Sequence, residues 1–120
     1  MKFIFLIYLD EARFEVMDQR ERDSYVNAML DYDEELRAGG SYVTSEPLKA
    51  PASAVTVRNW QDELSATDGP FAETKEHLSG FCIVDVDSLA EAIRLAGRMP
   101  LARVGSIEVR PLDQLERTAS

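Results

Sequence analysis

Lys2-Phe3-Ile4-Phe5-Leu6-Ile7-Tyr8-Leu9 is a continuous apolar run. A strand with one wet face alternates apolar and polar side chains, but this run is apolar at both parities: Phe3, Phe5 and Ile7 on one side, Ile4, Leu6 and Tyr8 on the other. It therefore reads as a central strand covered on both faces. It mimics a signal-peptide core, yet it passes straight into Asp10-Glu11 without an A-x-A-like cleavage site and is too short to span a bilayer. A second dense run, Phe81-Cys82-Ile83-Val84, continues through Asp85-Val86 and reads as another central strand.

Between these runs the pattern changes period. After a polar link, Asp18-x-x-Glu21 forms a capping-box-like helix start, and Tyr25, Met29, Tyr32 and Leu36 recur at helical spacing, with Val26 widening the stripe. This helix runs to about Ala38, where Gly39-Gly40 supplies the left-handed cap that only glycine adopts freely. Residues 41–48 read as an edge strand, ended by Pro47. Ala54–Trp60, the turn Gln61-Asp62 and Glu63–Thr67 suggest a hairpin. Ser88-x-x-Glu91 starts a short helix with Leu89, Ala92, Ile93 and Ala96 on one stripe, closed by Gly97 and Pro100. Ile107 and Val109 alternate with Ser106, Glu108 and Arg110 in a last strand, and 113–120 is a polar tail after a single domain at 1–112.

The order is β-α-β, an inserted hairpin, then β-α-β, with the most apolar strand opening each half. This predicts an α+β fold: a ferredoxin-like split βαβ antiparallel sheet with an inserted hairpin. Two helices cover one face of such a sheet, so a second copy of the chain is the economical cover for the other face, giving a dimeric α+β barrel.

Thr67-Asp68-Gly69-Pro70-Phe71-Ala72-Glu73-Thr74-Lys75-Glu76 is the chemically dense stretch. Pro70 drives Gly69 out of the helical region, so the corner is rigid and holds Asp68 at a set angle. Asp68 beside Phe71 is the candidate general acid or base, with Tyr8, Gly69, Pro70, Phe71, Glu73, Lys75 and His77 as candidate substrate-binding partners. The structural alternative is a plain turn in which Asp68 only accepts hydrogen bonds from backbone amides.

Asp68-Gly-Pro-Phe-Ala-Glu-Thr-Lys-Glu76, followed by Leu78-Ser-Gly-Phe81, resembles the signature of the DGPF proteins, a branch of the YCII-related family. Leu6-Ile-Tyr-Leu-Asp-Glu11 and Gly105-Ser-Ile-Glu-Val-Arg-Pro111 resemble that family's two ends. The resemblance implies the dimeric barrel and, for some relatives, an Asp and His pair; His77 is the lone histidine here and stands where relatives of this branch often carry glutamine. It also implies a second function class, a regulatory accessory of an extracytoplasmic-function sigma factor, beside which such proteins are frequently encoded.

Composition narrows the field. The chain has 120 residues and a formal charge of -9, from 22 Asp and Glu against 13 Lys and Arg, which disfavours nucleic acid and anionic membrane surfaces as partners. The single cysteine, Cys82, has no internal disulfide partner, which fits a cytoplasmic location. No metal-ligand spacing, Gly-rich phosphate loop or Gly-x-Ser-x-Gly elbow is present, so no metal or cofactor is expected. The acidic cluster Asp31, Asp33, Glu34 and Glu35 is either a solvated helix face or a protein-docking face. The expectation is a homodimer that binds an unknown small molecule, with cofactor-independent hydrolase- or lyase-like chemistry at Asp68.

Overall fold

The computed structural model describes residues 1–119. In chain order it contains β1 (Lys2–Leu9), α1 (Glu11–Glu15), α2 (Gln19–Ala38), β2 (Tyr42–Pro47), β3 (Val55–Trp60), β4 (Glu63–Asp68), β5 (His77–Asp85), α3 (Leu89–Arg98) and β6 (Gly105–Pro111). The two apolar runs pair with each other, as their composition requires. β1 and β5 form the antiparallel centre of a four-stranded sheet of order β2-β5-β1-β6, the ferredoxin-like arrangement. β3 and β4 form a separate two-stranded hairpin. Residues 112–119 carry no helix or strand, and Ser120, the last residue of the expected tail, lies outside the described residues.

Both longer helices pack on the sheet face that carries Phe3, Phe5 and Ile7. Phe3 and Phe5 are fully buried there against Tyr32 and Leu36 of α2, Ala92, Leu95 and Ala96 of α3, and Cys82 and Val84 of β5. Each buried phenylalanine stabilises the fold by about 2–3 kcal/mol. The opposite face carries Ile4 and Leu6 facing Ile83 and Phe81 across the β1–β5 ladder, flanked on β6 by Arg110 and Glu108. No helix among the described residues covers that face.

Local chemistry explains the element ends. Asp18 Oδ1 accepts the Glu21 N–H at 2.8 Å and starts α2. At its other end the Ser41 N–H reaches the Leu36 carbonyl at 3.0 Å and the Gly40 N–H reaches Arg37 at 3.1 Å, with Gly40 at φ +78, so both orphan carbonyls are met. Ser88 Oγ likewise accepts from the Glu91 N–H and starts α3.

Four local expectations need correction. The link after β1 is not purely polar coil: Asp10 caps the five-residue α1, too short a helix to show a period. The buried stripe of α3 is Ala92, Leu95 and Ala96, continued by Met99 just past its end, while Leu89 and Ile93 face out, so the i, i+3, i+4, i+7 pattern begins one turn later. Gly97 does not close α3. The helix runs to Arg98 and stops because Pro100 holds Met99 in extended backbone at ψ 128. β5 begins at His77, four residues before its dense apolar run, because the ladder to β1 extends to Leu9.

Gln61 (φ 54) and Asp62 (φ 63) both take the left-handed conformation of a two-residue hairpin turn. The hairpin projects as an arm. Val57, Trp60 and Leu64 are exposed on it. The Cα radius of gyration is 16.9 Å, against about 14 Å for a compact chain of this length.

Candidate functional site

The N-terminal half of α2 does not lie on the sheet. Tyr32 and Leu36 seal the C-terminal half, but Val26 and Leu30 are largely exposed and Tyr25 and Met29 only half-buried. Beneath them is a cavity of about 540 Å³, within the size range of small-molecule sites. Its floor is Ile7 and Leu9 of β1, Ser45 to Pro47 of β2, and the stretch of β5 from His77 to Cys82. Phe14 of α1 closes one end, its ring centroid 5.7 Å from that of Tyr25. The lining is mainly aliphatic and aromatic.

Two backbone features shape this floor. Gly80 lies where β2 and β5 approach closely; a Cβ there would stand 2.9 Å from the Glu46 carbonyl oxygen, so a side chain would force the strands apart. Next to it the register slips, with Ile7 opposite Gly80 but Tyr8 opposite Leu78. The extra residue, Ser79, inverts the side-chain parity beyond it, pairing His77 with the inward Leu9 rather than with Asp10, which has the outward parity of Tyr8. This bulge is what brings the chain's only histidine to the cavity.

A polar strap crosses the cavity's inner end. Ser45 Oγ donates to Asp33 Oδ2 at 2.9 Å, and Tyr42 Oη lies 2.9 Å from Ser45 Oγ. Serine has one proton and the ionised aspartate only accepts, so Tyr42 donates to Ser45 and Ser45 to Asp33. The Arg37 guanidinium stacks 4.2 Å from the centre of the Tyr42 ring and pairs with Glu34, which holds Tyr42 in place. Asp33 Oδ1 has no hydrogen-bond partner among the described residues, and no ion pair reaches Asp33. Burial, and after it the Asp33 charge, pushes the neighbouring Cys82 thiol up to about 12. Cys82 is a neutral wall of the cavity and no nucleophile at ordinary pH.

Of the candidate catalytic and substrate-binding residues read from the sequence, His77 lines this cavity and the others do not. Tyr8 points to the sheet's opposite face, paired with Ser106 and Leu78. Asp68 ends β4 on the arm, exposed, and its carboxylate accepts no hydrogen bond from a described residue. Gly69 stands at φ +100 at the base of the arm, where its N–H reaches the Ala54 carbonyl at 2.7 Å and its own carbonyl accepts from Thr56 Oγ1. The positive φ is the glycine-favouring conformation expected at Gly69-Pro70. Phe71, Glu73 and Lys75 are exposed in the following loop, Pro70 half-buried. The loop is tied down at its far end, where Ser106 Oγ donates to the Glu76 carboxylate at 2.8 Å. Among the described residues no group of three His, Cys, Asp or Glu side chains could hold a metal ion, and no helix is long and apolar enough to cross a membrane.

Asp33 was hidden within an acidic cluster. Its signal is its phase: it falls seven residues after Val26 and four after Met29, on the stripe that faces the sheet, whereas Asp31, Glu34 and Glu35 are exposed.

The YCII-related domain model matches residues 1–116. An uncharacterised protein of Rhizobium meliloti (strain 1021) is 33% identical over 114 residues, spanning 93% of this chain and 92% of the relative.

Proposed function

We propose that this chain, which belongs to the YCII-related family, binds a small and largely apolar molecule between α2 and the sheet. The observation that carries this is the cavity of about 540 Å³, apolar over most of its lining, in which Asp33, Ser45 and His77 are among the few polar groups. Binding is the reading the geometry supports. Hydrolase- or lyase-like chemistry at Asp68 draws no support from that cavity, because Asp68 stands on the arm outside it. A fragment screen by ligand-observed NMR tests the binding reading. Hits should compete for one site and disappear in Met29→Trp, whose indole intrudes on the space beneath α2, while far-UV circular dichroism stays parental. Hits that persist in that variant, or none at all, contradict it.

The same reading includes a homodimer. Ile4, Leu6, Phe81 and Ile83 form an apolar stripe with no helix over it, and a second sheet is its natural cover. Light scattering through micromolar dilution should give twice the chain mass; a monomer contradicts it. One observation favours the accessory reading instead. The arm presents Val57, Trp60 and Leu64 to solvent, and Phe71 follows it in the loop, a surface suited to a protein partner such as a sigma factor. Pull-down that depends on Trp60 and Leu64 would support that reading.

A further inference from the structure

We propose that the ligand of the cavity is cationic, an apolar body carrying a protonated amine that donates to Asp33 Oδ1. This rests on the binding reading above and adds the chemical class. Asp33 is the carboxylate on the cavity's inner wall, and only one of its two oxygens is engaged. Oδ2 takes the Ser45 hydroxyl at 2.9 Å, and Oδ1 takes nothing from the described residues. The relay from Tyr42 through Ser45 fixes the carboxylate's orientation and has no proton left for its free oxygen. Arg37, one turn beyond Asp33 on α2, is already engaged: it stacks on Tyr42 and pairs with Glu34.

The rest of the lining points the same way. Glu11 and Glu46 join Asp33 on the cavity wall, against Lys49 and His77, and the chain as a whole carries a formal charge of -9. A ligand that enters the apolar space expels water from Asp33, and an isolated carboxylate left dry is costly. A neutral ligand leaves that cost standing, and an anionic one adds repulsion to it. An ammonium group offsets it with a charge-assisted hydrogen bond. The aliphatic and aromatic side chains Ile7, Phe14, Met29 and Leu101 meet the ligand's apolar part.

Three probes with the same indole body separate the possibilities by calorimetry: tryptamine (cationic), tryptophol (neutral) and indoleacetic acid (anionic). Tryptamine should bind at least about tenfold more tightly than tryptophol, as one charge-assisted hydrogen bond supplies, and indoleacetic acid should bind most weakly. Asp33→Asn keeps an acceptor for Ser45 but loses the charge, and should bring tryptamine down to the affinity of tryptophol. Ser45→Ala removes the strap but keeps the charge, and should preserve the amine preference. Non-specific attraction to the acidic surface survives in Asp33→Asn, so an amine preference that persists in that variant overturns the proposal. Tryptophol or indoleacetic acid binding as tightly as tryptamine overturns it too, while leaving the binding reading intact. Failure of all three probes to bind contradicts both.

Discussion

Gly69 and Gly97 form a matched pair that isolates the backbone contribution of glycine. A Cβ added at either position meets nothing within 4 Å, so neither alanine substitution creates a clash. They differ in φ: Gly69 is at +100, whereas Gly97 lies inside α3 with ordinary helical backbone. Gly69→Ala should therefore cost the conformational strain alone, about 1–2 kcal/mol. Gly97→Ala should stabilise by up to about 1 kcal/mol, because alanine loses less backbone entropy in a helix. The two effects also fall in different places. Trp60 is the only tryptophan and sits on the arm whose base Gly69 shapes, so its fluorescence reports the arm, while far-UV circular dichroism is dominated by α2 and α3. Gly69→Ala should move the Trp60 unfolding transition to lower denaturant; Gly97→Ala should move the dichroism transition to higher denaturant. A change at Gly69 within the ~0.5 kcal/mol of ordinary surface substitutions would refute the strained corner. Destabilisation of similar size at both positions would refute the use of φ to tell them apart.

Three further outcomes follow from particular contacts. Asp68→Ala should leave stability within about 0.5 kcal/mol of the parent in thermal unfolding, because its carboxylate holds no hydrogen bond to a described residue; a larger loss would make Asp68 a structural cap. Tyr32→Phe should cost about 1–2 kcal/mol in urea unfolding, since the buried Tyr32 hydroxyl donates to the Leu95 carbonyl at 2.7 Å and ties α2 to α3; no change would mean the bond is replaced. Stability should fall above about pH 9. Burial first, then the neighbouring Asp33 charge, holds the Cys82 thiol up to about 12, and burial likewise raises the Tyr32 phenol. Below the unfolded pKa values both groups are protonated in both states. Above them the unfolded chain binds fewer protons than the native one, so stability drops with a slope of at most about 1.4 kcal/mol per pH unit per group until the folded groups titrate. Urea midpoints at pH 8 and pH 10.5 check the sign; equal midpoints contradict it.

The sheet was legible because its central strands differ in kind from its edges. Runs apolar at both parities, such as Lys2–Leu9, can be satisfied only in the middle, and a strand ending in Pro47 belongs at an edge. The helix starts were legible because Asp18 and Ser88 act through local hydrogen bonds that need no tertiary context. The site was far less so. His77 reaches the cavity only through the bulge at Ser79, and a bulge depends on how two distant strands align. Asp33 is told from Asp31 and Glu34 by its phase on α2, a distinction of one or two residues that composition conceals. Asp68 stood out because Gly69-Pro70 marks a rigid corner. The corner is there, but rigidity in that loop serves the arm's base as well as it would serve chemistry.

Backbone-amide NMR during titration with tryptamine tests most directly whether the space under α2 is the binding site. Saturable shifts should cluster at Met29, Asp33, Ser45, Gly80 and Cys82, which surround the cavity, and leave Thr67, Asp68 and Lys75 unmoved. Shifts confined to the arm and the loop after Asp68, with the amides of α2 and β5 still, would place the ligand elsewhere and contradict the assignment.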